Sequence, residues 1–260
     1  MVTITDFAEN AHNIILTIEL YGILIEKLEK DNLLKNHKRG DVIRIKQQIV
    51  LDAILKTQIL IESTLVLIHS LSVGYHSVAE NMTYYSMDLV ASIIKELRQN
   101  KKLKNYKYNI RKIIGLPNLK FLSLTSNEKK FLNKDFKRFQ SNSLDALKRL
   151  VSFYDKFSIV YGKSKHGLAY ITGGLSNLNE ETAFDNSFLQ CYGRVGKQDK
   201  IPKGYFISSI VGSTPQIRLK YFNFISVISF RKKLFEEINS AISDLKTLIS
   251  FICTNHRTYG

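Results

Sequence analysis

The sequence predicts a mainly α protein, a bundle of about six helices with a small β-hairpin insertion near residues 204–223. Three observations lead there. The first 116 residues contain no proline, so nothing in them forbids long helices. Apolar residues recur at three-, four- and seven-residue spacing over most of the chain. Seven of the 13 glycines crowd between Gly167 and Gly212, which marks a loop-and-strand segment inside a helical body.

The first helix is expected over about Thr5–Lys30. The second runs from about Asp41 to Leu71, with Val50, Ile54, Ile61, Leu65 and Ile68 on its stripe. Near Ile59–Ile68 it is apolar nearly all round, which places it centrally. The third starts at a capping box, Ser77-x-x-Glu80, carries Val78, Met82, Tyr85, Leu89 and Ile93, and fades into Lys101–Lys104. Residues 105–124 form a basic connection with a turn at Gly115-Leu116-Pro117. A second box, Thr125-x-x-Glu128, opens helix four. Asn142 or Ser143 caps helix five, which ends at Lys163–Gly167. Tyr205–Val211 and Gln216–Phe222 read as two strands around Gly212–Pro215. A last helix covers about Ser226–Cys253. No stretch reads as a linker, so residues 1–260 are expected to form one helical domain with an insertion at about 168–224.

Composition removes several classes. With 44% hydrophobic and 23% charged residues, the chain is neither disordered nor short of a core. Two cysteines, Cys191 and Cys253, cannot make a disulfide scaffold or a four-cysteine zinc site. The apolar runs at Ile14–Ile25 and Ile59–Ile68 are too short to span a bilayer, and Met1–Asp6 lacks the basic start of a signal peptide. A cytoplasmic protein is expected, without a membrane partner.

The net charge of +15 is unevenly placed. Residues 1–100 carry 10 Lys+Arg against 12 Asp+Glu, and residues 101–170 carry 17 against 4. A local excess of this kind draws polyanions, nucleic acid first and acidic protein second. One run within it, Lys101, Lys102, Lys104, Tyr106, Lys107, Tyr108, Arg111 and Lys112, interleaves cations that neutralise phosphates with rings that stack on bases.

Established catalytic motifs are missing. There is no Gly-rich phosphate loop, no His-Glu-x-x-His and no Gly-x-Ser-x-Gly. No metal or cofactor site is implied. The densest polar run is Tyr161-Gly162-Lys163-Ser164-Lys165-His166-Gly167. Lys163 and His166 share a helix face, and a His with a Lys could move a proton and hold a phosphate. The same run also reads as a plain helix stop, with cations at the negative end of the dipole and glycine beyond. Glu62 and His69, seven apart inside the apolar stretch, share a face and form either a structural polar pair or a support for that run. The end of helix five is expected to pack beside the middle of helix two, bringing Lys163 or His166 within reach of Glu62.

A long apolar helix with an internal Glu, followed by a helix ending in Tyr-x-Lys-x-Lys-His-Gly, resembles the HEPN domains of prokaryotic helical proteins. The resemblance covers about residues 41–167. It implies nucleic-acid binding, a homodimer, and a setting in toxin or defence systems; many members are metal-independent ribonucleases. The family's Arg, four to six residues, then His is absent here: the nearest Arg before His166 is Arg149. The leading expectation is therefore a non-catalytic HEPN-like protein that binds nucleic acid, RNA ahead of DNA, through residues 101–170. The alternatives are a metal-independent ribonuclease using His166 with Lys163 or Lys165, and a module for an acidic protein partner.

Overall fold

A computed structural model describes residues 3–30, 39–74, 77–99, 110–164, 170–173, 188–193, 206–209, 223–229 and 232–259. These residues form seven α-helices, one 3-10 turn and four strands. The helices are α1 (Ile4–Lys30), α2 (Arg39–Val73), α3 (Ser77–Tyr84), α4 (Met87–Gln99), α5 (Ile110–Ile113), α6 (Ser126–Ser164) and α7 (Lys232–Tyr259). The 3-10 turn is Leu119–Phe121, and the strands are β1 (Tyr170–Gly173), β2 (Phe188–Gly193), β3 (Phe206–Ser209) and β4 (Asn223–Ser229). The fold is mainly helical, as the spacing of apolar residues requires.

Four features differ from the sequence reading. Helix three is two helices: the Ser86 hydroxyl accepts a hydrogen bond from the Leu89 N–H at 3.2 Å and starts α4 afresh. Helices four and five are one helix of 39 residues. No glycine or proline stands between Pro117 and Gly162, and Ser143 is fully buried within α6 instead of capping it. The small hairpin is replaced by an antiparallel sheet of four strands in the order β1-β2-β4-β3. Phe206 pairs with Ser226 and Ser209 with Asn223, so β3 finds its partner after the expected second strand. Residues 210–222, which hold that strand and turn, lie outside the described residues. The aromatic and β-branched run Phe224–Ile228 is drawn into the sheet, so α7 begins at Lys232 and not at Ser226.

The chain divides into two compact units. The first comprises Met1–Leu16, Ile59–Phe153 and Ser240–Gly260. Its core is built on α2, where Leu65, Val66, Leu67 and Ile68 are each 0–1% exposed. Four consecutive helical residues sweep about 300° around the axis, so this stretch is covered on every side. Ile59, at the start of the apolar stretch, is the exception and is exposed. The buried hydroxyls of Thr64 and Ser70 donate to the carbonyls of Leu60 and Val66, so they cost no unmet hydrogen bond. Around this core lie Ile93, Ile113, Leu150, Leu245, Leu248 and Ile252, all buried.

The turn after α5 is anchored within this unit. The Leu116 N–H donates to the Arg111 carbonyl and the Gly115 N–H to that of Lys112, a Schellman ending with Gly115 at φ 68°. The end of α7 grips it: the Asn255 amide donates to the Ile114 carbonyl at 2.6 Å, and His256 Nε2 donates to that of Ile113 at 2.8 Å. A Cβ on Gly115 would lie 2.7 Å from Asn255 Cβ.

The second unit comprises Thr17–Gln58 and Tyr154–Asn239 and contains the sheet. Ile18, Leu51, Ile54, Phe157 and Ile238 are fully buried in it. The Gln58 amide donates to the Tyr154 carbonyl at 3.2 Å, tying α2 to α6. Phe235 of α7 lies against Gly22 of α1, where a Cβ would come within 2.9 Å of the ring.

Gly115→Ala is expected to destabilise the protein by about 1–2 kcal/mol through the left-handed backbone alone, with the Asn255 contact adding to it. Chemical denaturation measures this, and unchanged stability would contradict the geometry. The box at the start of α6 gives a pH dependence. The Thr125 hydroxyl and N–H both donate to Glu128, at 2.7 and 2.8 Å, and hold its carboxyl below the usual 4.5. A lowered folded-state value stabilises above the unfolded value and loses that contribution as pH falls through the folded one. The stability gap between wild type and Glu128→Gln, read by urea titration, is expected at neutral pH and closes as pH falls below the usual carboxylate range.

Candidate nucleic-acid interface

The first half of α6 presents a row of cations on a regular helix. Thr125 caps it: its carbonyl accepts from the Lys129 N–H at 3.0 Å and its hydroxyl from the Glu128 N–H at 3.3 Å. From there Ser126, Lys129, Lys130, Asn133, Lys134 and Lys137 line one shallow groove of about 540 Å³. Their spacing of three and four residues puts them on one helix face. Lys130, Asn133, Lys134 and Lys137 are exposed and Lys129 is half-buried. From Lys130 to Lys137 the row is about 10 Å long.

The neighbouring carboxylates are engaged by other side chains. Glu128 is taken up by Thr125, and Asp135 faces Arg138 at 3.6 Å. Among the described residues, none of the four lysines makes an ion pair. The second half of α6 is different. Arg149 makes a two-pronged contact to Asp244 of α7 at 2.7 and 2.8 Å, and Asp244 holds the guanidinium above its ordinary pKa. Lys148 pairs with Asp145 at 3.0 Å, and Lys156 with Glu237 of α7. These cations are paired with carboxylates, whereas the four lysines of the first half are not, among the described residues.

Beside the row lies a second open cleft of about 550 Å³, lined by Leu124, Asn127, Glu128, Phe131 and Leu132. Phe131 is 66% exposed, and Phe121, three residues before Leu124, is 85% exposed. Counting 100° per residue, Asn127, Lys130, Phe131, Lys134, Lys137 and Arg138 fall within a band about 120° wide. All six are exposed. Lys134 stands between Phe131 and Lys130 on that band.

The residues singled out from sequence are distributed otherwise. Lys101, Lys102, Lys104, Tyr106, Lys107 and Tyr108 lie outside the described residues, as do Lys165 and His166. Lys163 is in the last turn of α6, with its side chain outside them, so the expected approach to Glu62 lies outside them too. Arg111 serves the fold: its guanidinium donates to the Pro117 carbonyl at 2.8 Å and sits 5.4 Å from the centre of the Phe136 ring. Lys112 is exposed on α5. Glu62 is 1% exposed in α2, and His69 is half-buried. Tyr161 is a core residue, 3% exposed, with its ring edge-on to Tyr154 at 6.4 Å. Lys129, Lys130, Lys134, Lys137 and Phe131 were not singled out, although their spacing on a helix opened by a capping box was readable.

Among the described residues no helix is long and apolar enough to cross a membrane. Comparison with protein-family models, with curated proteins and with solved structures finds no match to this chain.

Proposed function

We propose that this chain binds nucleic acid, RNA ahead of DNA, through its basic 101–170 region, with the first half of α6 as the centre of the surface. The observation that carries the reading is the row Lys129, Lys130, Lys134 and Lys137, without an ion pair among the described residues. A protein gains little stability from lysines left to solvent, but a phosphate backbone meeting them releases its counterions. Binding without turnover fits the residues: no His in the chain follows an Arg with four to six residues between them. The HEPN-like outline of residues 41–167 agrees with this reading and is part of the proposal.

Fluorescence anisotropy against RNA and DNA oligonucleotides at a series of salt concentrations tests it. Binding should fall steeply with salt. The triple variant Lys130→Glu, Lys134→Glu, Lys137→Glu should bind much more weakly, with a log–log salt slope shallower by roughly 2–3 units. Its folding should be unchanged, since no ion pair among the described residues is lost. Wild-type affinity and slope in the folded variant would refute the reading.

A further inference from the structure

From the band on α6 we infer that the ligand is a single strand, with an unpaired base stacked on Phe131 in the cleft beside the lysine row. This rests on the nucleic-acid reading and specifies which form is bound. The lysines alone do not discriminate, because single strands and duplexes both present phosphates. Phe131 does discriminate. Its side chain has no polar atom, so it recognises by ring face and apolar area. In a duplex the base faces are covered by their neighbours, and only a splayed, unpaired base offers one.

The surroundings of Phe131 fit such a base. Leu124 and Leu132 supply apolar walls, Glu128 lines the cleft with its carboxylate held by Thr125, and the exposed Asn127 carboxamide, one turn before Phe131, has both a donor and an acceptor for a base edge. The exposed Lys134, one turn after Phe131, and Lys130, next to it in sequence, place charge along one side of the ring. Phe121, 85% exposed on the 3-10 turn that leads to Leu124, is a second ring of the same character. A lone exposed aromatic on a surface is ordinary, but a ring lining an apolar cleft on the edge of a row of solvent-facing lysines is a stacking platform.

The full chain is titrated with a single-stranded RNA, the single-stranded DNA of the same sequence, the matching duplexes, and heparin as a polyanion without bases. Both single strands should bind more tightly than their duplexes. Phe131→Ala should lose roughly five-fold or more in affinity for single strands while keeping wild-type affinity for duplex and heparin. The chain has no tryptophan, so Phe131→Trp creates one reporter at the cleft. Its fluorescence should be quenched by a single strand and much less by duplex or heparin. Because Phe131 is mostly exposed, neither substitution threatens the fold. Equal binding of single strands, duplex and heparin, with Phe131→Ala unchanged, would overturn the inference while leaving the nucleic-acid reading in place. Absence of binding to every oligonucleotide at low salt would remove both.

Discussion

The constraint on which the first unit depends is the burial of α2 on all sides at Leu65–Ile68. A helix covered all round has no polar face, so every element beside it must bring an apolar side and keep its charges away. Each of these side chains contributes about 1.5–3 kcal/mol by leaving water. The Arg149–Asp244 pair, with Arg149 58% exposed, lies in the range of about 0–1 kcal/mol. Packing therefore sets the arrangement of the helices, and the ion pairs trim it. The buried hydroxyls inside α2 stay local: those of Thr57, Thr64 and Ser70 donate to carbonyls one turn back.

The same constraint sorts the charge of α6. Ala146, Leu147, Leu150 and Val151 commit one face of the helix to the core, so its cations must take the others. In the second half the available neighbour is α7, whose Asp244 and Glu237 accept Arg149 and Lys156. In the first half Glu128 and Asp135 are used within the helix start and its next turn. The lysines are left facing solvent beside Phe131. One helix thus holds two kinds of basic residue, and only position along the helix separates them.

Much of the fold was readable because apolar spacing and helix caps are local signals. The Thr125–Glu128 box and the Gly115 turn were legible for that reason. The breaks that went unseen depend on weaker or longer-range effects. Ser86 caps α4 with one hydroxyl inside an otherwise continuous pattern. Ser143 has the chemistry of a cap, but the apolar residues on either side keep one helical register through it. The sheet was underestimated because β1 and β2 are short and β2 pairs with β4, 30 to 41 residues away, which no local pattern records. The candidate site was legible in its charge and not in its position. Net charge pointed to residues 101–170, while Arg111 and Tyr161 proved to be fastened into the structure. Which lysines face solvent depends on what each helix buries, and that is a tertiary property.

The central claim is that the first half of α6 is the surface that meets nucleic acid. Lysine footprinting tests it most directly: surface amines are acetylated with and without a single-stranded oligonucleotide and read by mass spectrometry. Lys130, Lys134 and Lys137 should lose reactivity on binding, while Lys27 of α1 and Lys95 of α4, both exposed, keep theirs. A bound complex in which the α6 lysines stay fully reactive and protection falls elsewhere would contradict the account.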